Sequence, residues 1–344
     1  MNPRLFFASD YQEGAHPAIL EALAAENLIP HAGYGTDPVS EEARALIRDA
    51  CSCPGAAVHF LVGGTQMNAA VIRAALRPWQ GVLAADSGHI AQHEAGAIEA
   101  GGHKVLTLPG ECGKLRAADV RAFCERFFAD ANHDHMVEPG MVYISQPTEY
   151  GTLYTKEELT ALRSVCDAFH LLLYCDGARL AAALGCPEND VALPDLAALT
   201  DLFYIGGTKC GALFGEALVV PEPQLLPHFF TLIKQSGALL AKGWLTGLQF
   251  RTLFTDGLYE RLGARSVRLA DRLRDACLEK GIPLRFGSPT NQVFLSLDAQ
   301  TLARLGECVE YSFWEMEDAE HTVIRLAASW ATREEDLEAL IRLL

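Results

Sequence analysis

Apolar and polar residues alternate in blocks along the first 250 positions. Short apolar runs precede stretches with helical spacing, as where AAVHFLV precedes GGTQMNAAVIRAAL. The runs are continuous rather than alternating, which is typical of strands covered on both faces. The repeated strand–helix order predicts a mostly parallel sheet with helices on both sides. The predicted strands are 56–62, 82–86, 141–147, 171–176 and 202–207.

The pattern changes after about residue 250. Residues 259–281 have the spacing of one long amphipathic helix that ends at Gly281. Two later runs, 291–297 and 322–329, alternate more clearly and predict strands. We therefore predict two domains. They are an N-terminal arm with a large α/β domain over 1–250, and a smaller α+β domain over 251–344.

Two helix starts have the sequence of a capping box. Thr155 with Glu158 precedes one predicted helix, and Thr332 with Glu335 precedes the last. In this arrangement the hydroxyl and the carboxylate each accept a hydrogen bond from a backbone N–H of the first turn.

Composition and charge narrow the classes of partner. The chain has 344 residues, is 50% hydrophobic and has a formal net charge of -16. Nucleic acids and anionic membrane surfaces require clustered Lys and Arg, so we expect neither as a partner. No run approaches the roughly 18 apolar residues of a membrane span. The start, MNPRLFFASDYQEG, has too short an apolar part for a signal peptide, so we expect a cytoplasmic protein whose ten cysteines are reduced.

Two groups of potential metal ligands lack the features of a metal site. Cys51 and Cys53 have no second pair at zinc-finger spacing. His133, Asp134 and His135 fall in a polar stretch that is typical of a loop facing water. Neither group has the required identity and number of ligands, so we expect no metal.

Polar residues follow several of the predicted strands. Ligands of an open parallel sheet bind beyond the carboxyl ends of its strands, so these residues are candidates for a site. They are His89, Asp176 with Arg179, Lys209, and a turn that contains Gly64 and Thr65.

Each of these residues also has an ordinary structural explanation. Thr65 suits a helix N-cap, Asp176 and Arg179 suit a structural ion pair, and Lys209 suits a solvated loop. The functional alternatives are a phosphate at the helix N-terminus, a ligand nitrogen on the aspartate, and a nucleophilic lysine. Burial in a glycine-lined turn would lower the pKa of such an amine and prepare it to form a Schiff base. The residues taken singly leave both sets open.

Taken together, six ordered stretches resemble the threonine aldolase branch of the β-eliminating lyase family. The family consists of pyridoxal-phosphate enzymes of the aspartate-aminotransferase fold, and the resemblance extends almost from end to end. The stretches are SD (9–10), YGTDP (34–38), GTQMN (64–68), His89 with EAG (94–96), DGAR (176–179) and VIRL (323–326).

The resemblance implies a role for each candidate residue. Lys209 would hold pyridoxal 5'-phosphate covalently, Asp176 would keep its ring nitrogen protonated, and His89 would stack on the ring and serve as a base. The implied catalytic residues are Lys209, His89 and Asp176. The implied cofactor-binding residues are Lys209, Gly64, Thr65, His89, Asp176 and Arg179. The implied substrate-binding residues are Ser9, Arg179, Arg325 and Glu149.

The implied reaction is cleavage of the Cα–Cβ bond of a β-hydroxy-α-amino acid. L-Threonine or L-allo-threonine would yield glycine and an aldehyde. Two stretches depart from the family pattern: the lysine segment is GGTKCGALFG, and Glu149 of QPTEYG stands where the family has a histidine near the β-hydroxyl. The alternatives are therefore β-elimination, transamination or racemisation on the same cofactor, and beyond these a non-catalytic module that binds it.

The resemblance also implies an assembly with sites between subunits. We expect a homodimer or a homotetramer. Lys234 and Lys242 are placed to reach a phosphate, including one across the interface, or else lie on a solvated helix face.

Overall fold

The computed structural model describes residues 4–344, and its strands and helices follow the predicted alternation through the first two thirds of the chain. The strands are β1 (Leu5–Phe6), β2 (Ala57–Leu61), β3 (Gln80–Ala85), β4 (Val105–Leu108), β5 (Glu138–Ser145), β6 (Leu172–Asp176), β7 (Leu202–Gly206), β8 (Glu216–Val220), β9 (Gln292–Asp298), β10 (Val309–Glu310), β11 (Ser312–Met316) and β12 (His321–Ala327). The helices are α1 (Pro17–Glu26), α2 (Pro38–Ala50), α3 (Gly64–Ala75), α4 (His89–Gln92), α5 (Ala97–Ala100), α6 (Ala117–Ala129), α7 (Lys156–Phe169), α8 (Leu180–Leu184), α9 (Leu193–Leu199), α10 (Phe229–Gln235), α11 (Trp244–Phe254), α12 (Leu258–Glu279), α13 (Ala299–Gly306) and α14 (Glu334–Leu343).

A sheet of seven described strands forms the centre of the larger part. Its order is β2-β8-β7-β6-β5-β3-β4, and only β8 is antiparallel to its neighbours. All five predicted strands are present, with ends displaced by at most three residues. The sequence reading missed β4 and β8. Strand β8 runs antiparallel because a turn without a crossover helix joins it to β7.

Helices cover both faces of this sheet, which confirms the predicted fold class. On one face, α2, α7 and α11 contribute Ile47, Leu162 and Phe250 to the main apolar core. On the other face, α3 and α10 contribute Met67 and Ile233 to a second core. Both faces of the sheet are therefore covered by apolar side chains, and the polar groups described below lie at the carboxyl ends of the strands.

The C-terminal part has its own antiparallel sheet. Strands β11, β12 and β9 pair in that order, and Leu273 of α12 packs with Ile324 and Leu337 in a third core. Strand β1 pairs with β10, Leu5 lying opposite Val309. The boundary near residue 250 stays a prediction, but the first strand packs with the C-terminal part.

Only one of the two predicted capping boxes forms. At α7 the Thr155 hydroxyl accepts the Glu158 N–H at 3.2 Å, and the Glu158 carboxylate accepts the Thr155 N–H at 2.8 Å. The prediction at Thr332 is wrong, because this hydroxyl accepts the N–H of Ser329 at 2.8 Å and Arg333 is the residue before α14. A local turn thus competes successfully for the threonine side chain.

Within residues 4–344, no helix is long and apolar enough to cross a membrane.

Candidate active site

Asp176 is the last residue of β6 and its carboxylate is buried beneath the carboxyl edge of the sheet. It accepts hydrogen bonds from the hydroxyls of Tyr143 (2.6 Å) and Tyr204 (2.5 Å), from Nδ2 of Asn68 (3.1 Å) and from the N–H of Ala178 (2.9 Å). Burial alone would raise the pKa of this carboxyl, but the nearby His89 and these donors outweigh burial and lower the pKa. In the described part of the chain, no Lys or Arg nitrogen lies within 4.0 Å of it. The structure therefore holds a buried negative charge without a paired cation.

Hydrogen bonds connect Asp176 to His89 through two further buried residues. Asn68 Nδ2 also donates to Oε1 of Glu94 at 2.7 Å, and the same oxygen lies 2.8 Å from Nδ1 of His89. Glu94 is 4% exposed. The carboxylate fixes the imidazole through Nδ1, which leaves Nε2 as the nitrogen able to accept a proton.

Lys209 lies in the turn between β7 and β8 and its amine has no acceptor within hydrogen-bonding distance among the described residues. Burial lowers the pKa of this amine to about 8, assisted by the positive charge of Arg179 and opposed by Asp10 and Asp176. A useful fraction of the amine is therefore neutral and nucleophilic near physiological pH. The alternative of an ordinary solvated lysine does not fit this environment.

Gly64 and Thr65 form the first turn of α3, and the residue before the helix is Gly63 rather than Thr65. Thr65 is exposed, and no described residue accepts its hydroxyl or the N–H groups of Gly64, Thr65 and Gln66. A Cβ on Gly64 would lie 3.0 Å from the Tyr204 hydroxyl, so a glycine allows this hydroxyl to approach the backbone closely. Free N–H groups and the helix dipole make this turn suitable for a phosphate.

Arg179 forms an ion pair with Asp10, not with Asp176. Its Nε and Nη2 donate to the two carboxylate oxygens of Asp10 at 2.7 and 3.0 Å, and Asn291 donates to the same carboxylate at 2.9 Å. Burial opposes ionisation of Asp10, but Arg179 and Lys209 hold the pKa of that carboxyl well below its usual range. The local salt bridge between Asp176 and Arg179 that the sequence left open does not form.

Arg325 lies on β12 and has no carboxylate partner among residues 4–344. It donates to the carbonyl of Ala8 (3.1 Å), to Ser312 Oγ (3.2 Å) and to Gln292 Oε1 (3.1 Å), while its buried Nε has no partner. Burial lowers the pKa of this guanidinium to about 10. The buried Ser9 hydroxyl also lacks a partner in the described structure. Such a guanidinium suits the carboxylate of a ligand.

Glu149 follows β5 and contacts the residues around His89. Its Oε1 accepts the Ser145 hydroxyl at 2.8 Å and the backbone N–H of His89 at 3.0 Å. Burial raises the pKa of this carboxyl, and the negative charge of Asp176 adds to the effect. Glu149 thus anchors the start of α4 and is held closer to its neutral form than an exposed glutamate.

One cleft of about 690 Å³ brings five of the predicted residues together. They are Lys209, His89, Glu149, Arg179 and Arg325. Asp176, Gly64, Thr65 and Ser9 do not line this cleft, although Asp176 reaches His89 through Asn68 and Glu94. The individual roles of these nine residues stay predictions.

Several residues of the site were missed by the sequence analysis. Among them, Tyr11, His93, Tyr150 and Trp314 line the cleft, and Tyr143 and Tyr204 bind Asp176. His93 lies four residues after His89, a spacing that places both on one side of a helical turn and was available as a signal. The two strand tyrosines gave no such signal, because they stand within apolar runs and look like core residues.

Comparisons with known proteins identify the family. Residues 7–300 match the family model of the β-eliminating lyases. The chain belongs to the β-eliminating lyase family. The family prediction made from the six stretches is thus confirmed.

Two threonine aldolases are similar to this chain in sequence, and a more distant enzyme shares its fold. A low specificity L-threonine aldolase of Pseudomonas sp. (strain NCIMB 10558) is 30% identical over 309 residues, which cover 87% of this chain and 86% of the relative. A solved threonine aldolase of Leishmania major is 44% identical, with a TM-score of 0.95 over 98% of each chain. An aspartate aminotransferase of Thermus thermophilus, at 17% identity and a TM-score of 0.72 over 100% of this chain and 97% of its own, shares the fold.

Membership of this family implies pyridoxal phosphate, and the residues present fit that group. The uncompensated charge of Asp176 matches a protonated ring nitrogen, and the unpartnered amine of Lys209 matches an aldehyde. The N–H groups of Gly64, Thr65 and Gln66, which have no acceptor among the described residues, match a phosphate. Three different parts of the cofactor thus find complementary groups at one sheet edge.

The Asp10–Arg179 pair should contribute strongly to stability. Asp10→Asn leaves a buried guanidinium without its charge partner, so we expect the free energy of unfolding to fall by about 3–5 kcal/mol. Because Asp10 has a lower pKa in the folded state, its contribution is present above about pH 4 and is lost as pH falls below that value. Denaturant unfolding of both proteins from pH 7 to pH 3 measures this, and the difference between the two proteins should begin to narrow below about pH 4.

The matched control is the exposed pair formed by Arg4 and Glu310 at 3.2 Å. Glu310→Gln should change the free energy of unfolding by less than about 1 kcal/mol. Equal losses for Asp10→Asn and Glu310→Gln would contradict the importance of the buried pair.

Proposed function

We propose that this protein is a pyridoxal-phosphate-dependent aldolase. It cleaves the Cα–Cβ bond of β-hydroxy-α-amino acids such as L-threonine or L-allo-threonine and releases glycine and an aldehyde. The observation that carries the proposal is the convergence of Lys209, His89 and Arg325 on one cleft, above the buried charge of Asp176. The threonine aldolases among its relatives support the choice of reaction.

Each residue has a distinct task in this mechanism. The cofactor, when bound, supplies a protonated ring that accepts the electron pair released from Cα. Lys209 provides the amine that attaches the cofactor, and the negative charge of Asp176 favours the protonated ring. Arg325 would hold the substrate carboxylate by charge-assisted hydrogen bonds and thereby fix the orientation of the groups on Cα.

Bond cleavage also requires removal of the proton from the β-hydroxyl. We assign this step to Nε2 of His89, because Glu94 fixes the imidazole through Nδ1. Glu149 contacts the same segment through the His89 N–H and lines the cleft beside it. Burial raises the pKa of this carboxyl, so protonation of Glu149 costs less free energy than protonation of an exposed glutamate.

We further propose a homodimer or a homotetramer with sites near the subunit interface. The segment before α2 exposes large apolar side chains, with Leu28 91% and Ile29 51% exposed. Nearby, Nζ of Lys234 lies 4.2 Å from the ring centroid of Tyr34. Such exposed apolar surface supports association. The mass of the protein in solution tests the proposed assembly. Whether Lys234 and Lys242 bind a phosphate or lie on a solvated helix face stays a prediction.

Product analysis tests the proposed reaction. Purified protein supplied with pyridoxal phosphate and L-threonine or L-allo-threonine should release glycine and acetaldehyde in equal amounts. Formation of pyruvate from serine or cysteine, without aldehyde from any β-hydroxy amino acid, would instead identify an eliminating enzyme. A panel that includes phenylserine defines the range of aldehydes.

Attachment at Lys209 has its own test. The purified protein should be yellow, and borohydride should bleach it while fixing the cofactor on the peptide that contains Lys209. Lys209→Ala should lose this attachment entirely, because no other lysine of residues 4–344 lines the cleft. Lys234→Ala is the control and should retain it. A reducible covalent link that persists in Lys209→Ala would remove Lys209 from this role.

Replacement of Arg325 should separate substrate binding from cofactor binding. Truncating a buried charge contact costs about 2–5 kcal/mol, so Arg325→Ala should weaken amino acid binding by roughly thirtyfold or more. Cofactor affinity, measured by fluorescence titration, should change little. Arg268→Ala on the exposed face of α12 should leave both values unchanged. An equal loss of both affinities in Arg325→Ala would contradict the assignment.

A further inference from the structure

Glu216 is a buried carboxyl group for which the proposed mechanism has no use. It is the first residue of β8 and only 4% exposed. Its oxygens accept the N–H of Gly207 at 3.0 Å and the hydroxyl of Thr208 at 2.8 Å, the two residues before Lys209. No Lys or Arg nitrogen of residues 4–344 forms a salt bridge with it at 4.0 Å or less.

The position of Glu216 places it beside the start of α3. It lies opposite Leu61, and the N–H of Gly215 donates to the carbonyl of Val62 at 2.9 Å, two residues before Gly64. Alternation along β8 puts Glu216 on the same face as Leu218, which packs in the core beneath α3. The carboxyl group and the free N–H groups of the first turn therefore share one edge and one face of the sheet.

The surroundings of Glu216 hold little positive charge. Burial raises the pKa of its carboxyl to about 8, while Lys209 and the bonds from Thr208 and Gly207 oppose this effect. The first turn of α3 contributes no acidic residue. The titratable groups that face Glu216 are Lys209 from the turn after β7, Asp176 and Tyr174 from β6, Tyr204 from β7 and Tyr259 from α12.

A phosphate at the start of α3 would bring up to two negative charges next to this carboxyl. Two anions that share a site cannot both remain charged without a large cost, so one of them binds a proton. We propose that Glu216, under conditions where it is charged in the free protein, takes up a proton from solvent when the phosphate binds, and so becomes a hydrogen-bond donor within the phosphate subsite. The inference rests on the proposed function, because the phosphate is that of the cofactor.

The direction of the pH dependence follows from this linkage. Below about pH 8 the free carboxyl is already mostly neutral, so phosphate affinity does not depend on it. Above that pH the free site is charged, and affinity should fall by about tenfold for each pH unit until the bound site also ionises. Replacing Glu216 by a residue that cannot ionise should remove this fall in affinity.

The test uses pyridoxamine 5'-phosphate, which has no aldehyde and cannot bond to a lysine. Lys209→Ala is compared with the double variant Lys209→Ala, Glu216→Gln by titration calorimetry from pH 7.5 to pH 10. The Lys209→Ala background removes the other group whose pKa is about 8. The range extends to pH 10 because loss of the lysine charge raises the pKa of Glu216. The ligand's own ionisations cancel in the comparison.

As pH rises, the affinity of Lys209→Ala for pyridoxamine 5'-phosphate should fall more than that of the double variant. Lys209→Ala should also take up more protons per bound ligand, which is measured by repeating the titration in buffers of different ionisation enthalpy. Pyridoxamine without phosphate is the control and should bind both variants with the same pH dependence. Parallel affinity curves with equal proton uptake, or the same difference with unphosphorylated pyridoxamine, would overturn the inference. Binding that fails at every pH, for pyridoxal phosphate and wild-type protein as well, would overturn the proposed function and the inference with it. If circular dichroism shows that the double variant does not fold, Glu216→Ala replaces Glu216→Gln in the same comparison.

Discussion

A negative charge buried at the end of β6 is the constraint on which the site depends. Removing a carboxylate from water costs several kcal/mol, and no Lys or Arg of the described residues forms a salt bridge with Asp176 to offset that cost. Four donors surround it instead, and a hydrogen bond to a charged group contributes about 1.5–3 kcal/mol. Two of these donors are tyrosines on the flanking strands, so the parallel register of β5, β6 and β7 sets the geometry of the carboxylate. The sheet edge thus holds a fixed negative charge in the absence of any ligand.

The two arginines of the site have different environments. Both Nε and Nη2 of Arg179 are occupied by Asp10, while Arg325 keeps a buried Nε without a partner. A guanidinium that is already neutralised mainly fixes the chain around it, whereas one without a carboxylate retains its charge for a ligand. The ion pair of Arg179 also prevents it from competing for the buried charge of Asp176.

The sequence predicted the location of the site better than its internal contacts. Continuous apolar runs indicated which strands are buried, and their ends placed His89, Asp176 and Lys209 at one edge of the sheet. Long-range partners had no comparable signal, because Asp10 and Arg179 are far apart in sequence and their meeting depends on the whole fold. The same limit applies to Trp314, which lies on a strand with an irregular burial pattern that periodicity does not reveal. The capping prediction at Thr332 failed for a local reason, since a neighbouring turn offered the hydroxyl another donor.

The pairing of β1 with β10 bears on how the protein is made. Leu5 finds its strand partner Val309 only near the opposite end of the chain. Chains emerge from the ribosome amino terminus first, and the central sheet can begin to form while this first strand has nothing to pair with. The nascent protein therefore carries an apolar segment, including Leu5 and Phe7, without its strand partner until Val309 has been synthesised. Shielding by the ribosome surface or by a holding chaperone is the expected requirement during that interval.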